Sequence, residues 1–247
     1  MSTHRQRKLE TVVTRLQVQY GPQAIRKTVT PARWPPAPHI STTFAELDAA
    51  LGIGGLPNGR ISELVGPATS GKVTLAAKVL SAAHREPETL VAWLDLSRTC
   101  DPEYLYRCGL DLDRLLIVRP EDPAGALAIT LHLVESNTLA ALVFDGLADM
   151  AADLEAVLAG TLERLATSVT LTETAVLFLS EPHAQSRTLA HVAAVRLAIH
   201  RERWITRGPD VRGYEARVEI LKHKLGQAGA AVPIRITFDG TVNGTGL

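Results

Sequence analysis

Between residues 60 and 84 the chain passes from a strand-like run, through a glycine-bounded bend, into an apolar helical pattern. Arg60–Val65 is the strand, and Gly66, Pro67, Ala68, Thr69, Ser70, Gly71, Lys72, Val73 and Thr74 form the bend and the start of the helix. Few arrangements satisfy that order. Glycines let the backbone curl so that several N–H groups and a helix N-terminus face one point, and Lys72 adds a cation beside it. The segment is therefore read as a phosphate-binding loop. The alternative is an ordinary glycine turn.

The rest of the pattern agrees with a loop of that kind set in an α/β sheet. Strands are predicted at 60–65, 89–95, 115–118, 140–145 and 174–180, alternating with helices at 44–51, 72–84, 102–108, 122–136 and 153–168. This alternation is the signature of a mostly parallel twisted sheet with helices on both faces. After Pro182 the style changes. Residues 193–201, 213–222 and 232–238 read as antiparallel strands, the first two joined by a turn at Arg207–Asp210.

Ahead of the sheet, Leu9, Val12, Val13, Leu16 and Tyr20 recur at helical spacing, so 5–20 reads as an amphipathic helix stopped by Gly21 and Pro22. Residues 30–39 hold four prolines and read as an extended linker. The expected organisation is an N-terminal helix and strand arm over 1–39 and a nucleotide-binding core over 40–247.

Composition bears on partners and compartment. Lys plus Arg and Asp plus Glu are each 26, so net charge gives no sign of a nucleic-acid partner. Its distribution does. Residues 1–30 carry six bases and one acid, 145–181 one base and seven acids, and 182–224 nine bases and four acids. Segregated charge fits interaction faces, and equally a solvated surface. Two cysteines without a zinc framework, no apolar leader and no long apolar run point to a cytoplasmic protein with no membrane span.

At the end of the apolar run Ala141–Phe144, Asp145 presents a carboxylate where parallel strand ends share an edge with the phosphate loop. It is read as holding magnesium through a bound water, or as a capping residue.

Together these stretches resemble the RecA recombinases, over about residues 8–240. The resemblance rests on Ile40–Gly52 and Gly54–Gly59 leading into the loop, Asp101 and Pro102 with Tyr104, Leu112–Leu116, Val195–Leu197, and Lys222 with Lys224. It implies a RecA-like core binding ATP and Mg2+. It also implies Asp101 and Tyr104 against the adenine, and Lys222 and Lys224 reaching a nucleotide on a neighbouring subunit. Tyr104 also fits ordinary packing, and the lysine pair a solvated strand.

The departures from that family bear on chemistry. Val73 stands where the family has the hydroxyl that ligates magnesium, and Thr74 is turned about 100° from that position. Ser97 stands at the general-base glutamate, a loss worth about 10² to 10⁴ in rate. Ser180 and Glu181 replace the family's amide sensor, so Glu181 brings an anion toward the γ-phosphate. The DNA loops are shortened, and the first, Leu147–Asp153, is acidic and repels DNA phosphates.

Arg187, Arg201 and Arg203 remain as candidate DNA contacts, for weak and salt-dependent binding. Ile25, in the stretch resembling the RecA arm, is the expected anchor on a RecA filament or on a second copy of this chain; the alternative is that the arm folds back on its own core.

These absences resemble the RecA-like accessory proteins of bacterial translesion mutagenesis cassettes, the ImuA group, which implies translesion polymerase components as further partners. The expectation is an accessory paralogue with impaired hydrolysis. The alternative is an active DNA-dependent ATPase that binds single-stranded DNA.

Overall fold

The computed structural model describes residues 3–21, 37–84, 88–147, 154–184, 186–238 and 242–245. The chain divides into two units, Met1–Pro36 and Ala37–Leu247. In the first, α1 (Thr3–Tyr20) covers the predicted amphipathic segment, with Leu9, Val12 and Tyr20 exposed on it. Ile25 and most of the Pro-rich linker lie outside the described residues.

The second unit opens with a small antiparallel pair, β1 (His39–Ile40) and β2 (Leu56–Pro57), flanking α2 (Ala45–Leu51). Then come β3 (Ile61–Val65), α3 (Lys72–Ala83), β4 (Leu90–Asp95), α4 (Pro102–Arg107), β5 (Leu115–Val118), α5 (Pro123–Glu135), β6 (Leu139–Asp145), α6 (Leu154–Thr172) and β7 (Ala175–Ser180). The chain continues through α7 (Arg187–Val192), β8 (Val195–Arg207), β9 (Asp210–His223), β10 (Ala231–Phe238) and β11 (Val242–Thr245).

Among the described residues one sheet takes nine strands in the order β11-β10-β9-β8-β3-β7-β6-β4-β5. The six from β8 to β5 are mutually parallel, and β9 to β11 extend the sheet antiparallel from β8. The predicted fold class, a mostly parallel sheet with antiparallel C-terminal strands, is the one observed.

The pleat explains why the central strands read as unbroken apolar runs. Successive side chains go to opposite faces, and both faces are covered. Val91, Trp93, Ala141, Val143, Leu177 and Leu179 join the cluster formed with α2, α3 and α4. Ala92, Leu94, Leu142, Phe144, Val176 and Phe178 join that formed with α5, α6 and α7. The Phe144 and Phe178 rings stack across neighbouring strands at 5.0 Å. Removing either ring costs about 3–5 kcal/mol.

Two elements differ from the sequence reading. Helix α7 occupies Arg187–Val192, where a loop is predicted; Ser186 caps it by accepting from the Leu189 amide at 3.0 Å. Six residues are too few to register as a periodic pattern. The β8–β9 hairpin also runs longer than predicted, because its outer part is exposed and lacks an apolar alternation.

Candidate nucleotide site

The parallel strands β3, β4, β6 and β7 end at one edge of the sheet, and the loop after β3 rises from that edge. The Gly66 amide donates to Ser180 O at 3.1 Å, holding the loop's start against β7. No side chain fits at Gly66: a Cβ there would lie 2.5 Å from Ser70 Oγ and 2.6 Å from Ile199 O. Left-handed backbone at Thr69 (φ +61°) and Gly71 (φ +104°) then turns the chain into α3. Gly71 offers α3 no side-chain cap, so the first-turn amides keep their capacity for an anion.

Lys72, only 7% exposed, folds back along this loop. Its ammonium donates to Gly66 O at 2.9 Å, Pro67 O at 3.3 Å and Glu181 Oε1 at 3.4 Å. Glu181 follows directly on β7, and its other oxygen lies 3.6 Å from His183 Nδ1. Ser180 is engaged elsewhere, donating to buried Glu63 at 2.7 Å. Of the two residues, Glu181 alone lines the cleft.

Beyond the lysine, Val73 presents only carbon, whereas Thr74 sits between two tyrosines. Its hydroxyl lies 2.6 Å from the Tyr104 hydroxyl and 3.0 Å from that of Tyr214. The Tyr214 ring also packs on the loop, since a Cβ on Gly71 would meet its hydroxyl at 2.9 Å. Burial pushes both phenols up, Tyr214 to about 12. Thr74 therefore anchors two aromatic residues by their hydroxyls.

Across the cleft, buried Asp95 organises the turn after β4. One carboxylate oxygen accepts from the Thr99 amide at 2.9 Å, the Cys100 amide at 3.2 Å and Ser97 Oγ at 3.4 Å; the other accepts from Arg119 at 3.0 Å. The Ser97 hydroxyl also lies 2.8 Å from that of Thr99. Burial, then Asp95 and Asp145, push the Cys100 thiol up to about 12, which keeps it protonated and unreactive. Asp145 pairs with Asp95 in register at the end of β6 and lines the cleft.

The cleft measures about 550 Å³, a volume in the range of small-molecule sites. Trp204 and Tyr214 complete its wall from the antiparallel extension, and the sequence reading passes over both. Only their register beside the loop reveals them. Arg201 on β8 donates to Thr69 O at 3.2 Å and Thr69 Oγ1 at 2.9 Å, and stacks on Trp204 with its guanidinium 4.2 Å from the ring centroid. It thus braces the one non-glycine residue of the loop that has positive φ.

Other predicted residues are placed apart from the cleft. Asp101 caps α4, accepting from the Glu103 amide at 2.9 Å, and is not among the residues that line the cleft. Lys222 Nζ donates to Ala190 O and His191 O at 2.6 and 2.8 Å, and Lys224 Nζ to Val192 O at 2.9 Å. The pair thus crowns the C-terminal end of α7, where carbonyls lack intrahelical partners. Burial, then Lys224, lower the Lys222 pKa.

The three arginines read as DNA contacts have different surroundings. Arg187 opens α7, Arg201 holds Thr69, and Arg203 is ion-paired with Glu215, which also takes Arg235 at 2.9 Å.

Whether the donor atoms suit ATP and magnesium follows from these contacts. Loop amides, the α3 terminus and Lys72 fit a phosphate. For magnesium the cleft offers the Asp145 carboxylate, whereas Val73 contributes no oxygen. Among the described residues no helix is long and apolar enough to cross a membrane.

Comparison with known proteins agrees with this architecture. The family model of the RecA N-terminal domain matches residues 7–243. Among curated proteins the chain is 31% identical over 273 residues to Protein RecA of Clavibacter michiganensis subsp. michiganensis, covering 100% of this chain and 74% of that protein. It is 32% identical over 252 residues to Protein RecA of Pseudomonas putida, covering 91% and 70%. Its fold is similar to the crystal structure of the RadB recombinase, with a TM-score of 0.67 at 22% identity over 84% of this chain and 99% of that one. The match of the family model over nearly the whole chain, with RecA relatives above 30% identity, establishes that the chain belongs to the RecA family.

Proposed function

We propose that this chain is a nucleotide-binding RecA paralogue of DNA repair, recombination or damage tolerance, acting as an accessory subunit with impaired ATP hydrolysis. The observation that carries the reading is the contrast within one cleft. Gly66, Gly71 and Lys72 keep the form of a phosphate site, whereas Ser97 stands at the general-base position after β4 and Val73 on α3 offers no hydroxyl for magnesium. Ser97 is a neutral hydroxyl already bonded within its own turn, and accepts no proton from water as a carboxylate does. When bound, the nucleotide supplies a phosphate chain for the loop amides and Lys72 to hold. Tyr104, Trp204 and Tyr214 supply aromatic surface for a base.

The test is ATP turnover with and without single-stranded DNA, beside direct nucleotide binding. Binding with little turnover is expected, and hydrolysis stimulated by DNA to the rate of an active recombinase overturns the reading. Family membership supports the repair role. The shortened loops and occupied arginines support weak, salt-dependent DNA contact.

Association with RecA, a second copy or a translesion polymerase complex is assigned to the N-terminal arm, with Ile25 as its anchor. The exposed Leu9, Val12 and Tyr20 of α1 support an arm that docks on another subunit. Burying an isoleucine is worth about 1.5–3 kcal/mol, so Ile25→Glu weakens association at least about tenfold. Light scattering of RecA filaments with the wild type, Ile25→Glu and a chain lacking residues 1–30 checks this. Equal binding by all three removes the arm from the mechanism.

A further inference from the structure

We propose that the cleft selects a nucleoside diphosphate over the triphosphate, with the Glu181 carboxylate as the group that excludes the third phosphate. The inference rests on the reading of the cleft as a nucleotide site, and it adds which nucleotide the site holds. Three protons sit on the Lys72 ammonium, and each meets an acceptor of the chain itself: Gly66 O, Pro67 O and Glu181 Oε1. Two are backbone carbonyls of the loop. The third is a full negative charge, brought from β7.

Among the described residues that line the cleft, Lys72 is the only Lys or Arg, against the carboxylates of Asp145 and Glu181. The Gly66 and Ser70 amides are bonded to Ser180 O and Pro67 O, so the amides of Ala68, Thr69 and Gly71 and the start of α3 are the ones placed to receive phosphate. Two phosphates make full use of them. A third, placed to reach Lys72, enters beside the carboxylate that already neutralises that lysine, and its added charge is repelled there. With only carbon at position 73, that position offers magnesium no oxygen to offset the charge.

Distance and screening set the scale. Two like charges about 6 Å apart at an effective dielectric of about 20 correspond to a ~100-fold loss of affinity. Because Glu181 is 28% exposed, solvent screens part of this, and a tenfold preference is the expected outcome. Loss of the charge removes the discrimination, so Glu181→Gln narrows the ratio of the two affinities at least fivefold, chiefly by tightening the triphosphate. Glu181→Asp keeps the charge and retains a preference for the diphosphate. A purely structural role for Glu181 changes both affinities together and leaves their ratio alone.

The experiment is equilibrium titration of the full chain and both variants with fluorescent ADP and ATP analogues, with and without Mg2+. Tighter diphosphate binding by the wild type in both conditions, lost in Glu181→Gln and kept in Glu181→Asp, supports the proposal. Equal affinities, a preference for ATP in either condition, or an unchanged ratio in Glu181→Gln overturns it while the nucleotide reading stands. If neither nucleotide binds, the nucleotide reading itself falls, and the proposal with it.

Discussion

The parallel half of the sheet and its antiparallel extension use charge in opposite ways. The charged groups of the parallel half that line the cleft, Asp145, Glu181 and Lys72, stand at or just beyond strand ends, whereas Glu63 within β3 is buried against Arg196 of β8. Along β8, β9 and β10 charged groups sit mid-strand and pair across it, as Arg203 and Arg235 do with Glu215, and as Arg196 does with Glu63. A basic residue counts toward ligand binding when topology leaves it at an open edge. One carried in the body of a hairpin is spent on its neighbour. Arg201 crosses the boundary, because β8 lies directly beside β3 and its guanidinium reaches the loop.

The largest expected effect comes from restoring the chemistry of the strand ends. The triple variant Val73→Thr, Ser97→Glu, Glu181→Gln gains a magnesium hydroxyl and a general base and loses the opposing anion. ATP turnover in a phosphate-release assay rises by about 10² or more. Val73→Thr with Ser97→Glu alone gains less, since Glu181 still meets the terminal phosphate. If the triple variant binds ATP and turns it over no faster than the wild type, the comparison has misplaced the defect.

Next in size is the loop itself. Lys72→Ala leaves Glu181 without its counter-ion, so an uncompensated carboxylate faces the phosphates and nucleotide affinity falls on the order of 10²-fold. Titration with a fluorescent diphosphate reads this directly, and an unchanged affinity rules the cleft out as a phosphate site. From the extension, Arg201→Ala frees Thr69 from two hydrogen bonds. At about 1 kcal/mol each, binding weakens by up to about 30-fold. A variant that keeps nucleotide affinity but loses DNA binding returns Arg201 to the DNA surface.

The comparison also explains what the sequence reveals and what it hides. The central strands are legible because buried parallel strands read as unbroken apolar runs. Gly66, Gly71 and Lys72 stand at fixed spacing, so local chemistry identifies them. Tyr214 is not legible. It lies 140 residues from Thr74, and only the β8–β9 register beside β3 places its hydroxyl on the loop. Arg203 fails in the other direction: a count of bases between 182 and 224 includes it as a DNA contact, yet Glu215, its cross-strand partner, neutralises it. Lys222 and Lys224 are similar, since α7 is too short to announce the carbonyls they crown.

The smallest expected effect tests whether the charges of the extension are structural. Hydrogen bonds from Arg203 and then Arg235 hold the Glu215 carboxyl at about 2, below its ordinary 4.5. Because the folded value is the lower one, the pair's contribution to stability is present above about 4.5 and is lost as pH falls toward 2. Glu215→Gln removes that contribution, so its melting temperature lies below the wild type's at neutral pH. The gap closes as acid protonates Glu215 in the wild type. Thermal unfolding of both chains between neutral pH and about pH 2 measures it, with the other carboxylates cancelling in the difference. A gap that stays constant across that range means the carboxylate is not ionically engaged, and Arg203 is then available to a phosphate as its place in the sequence first suggests.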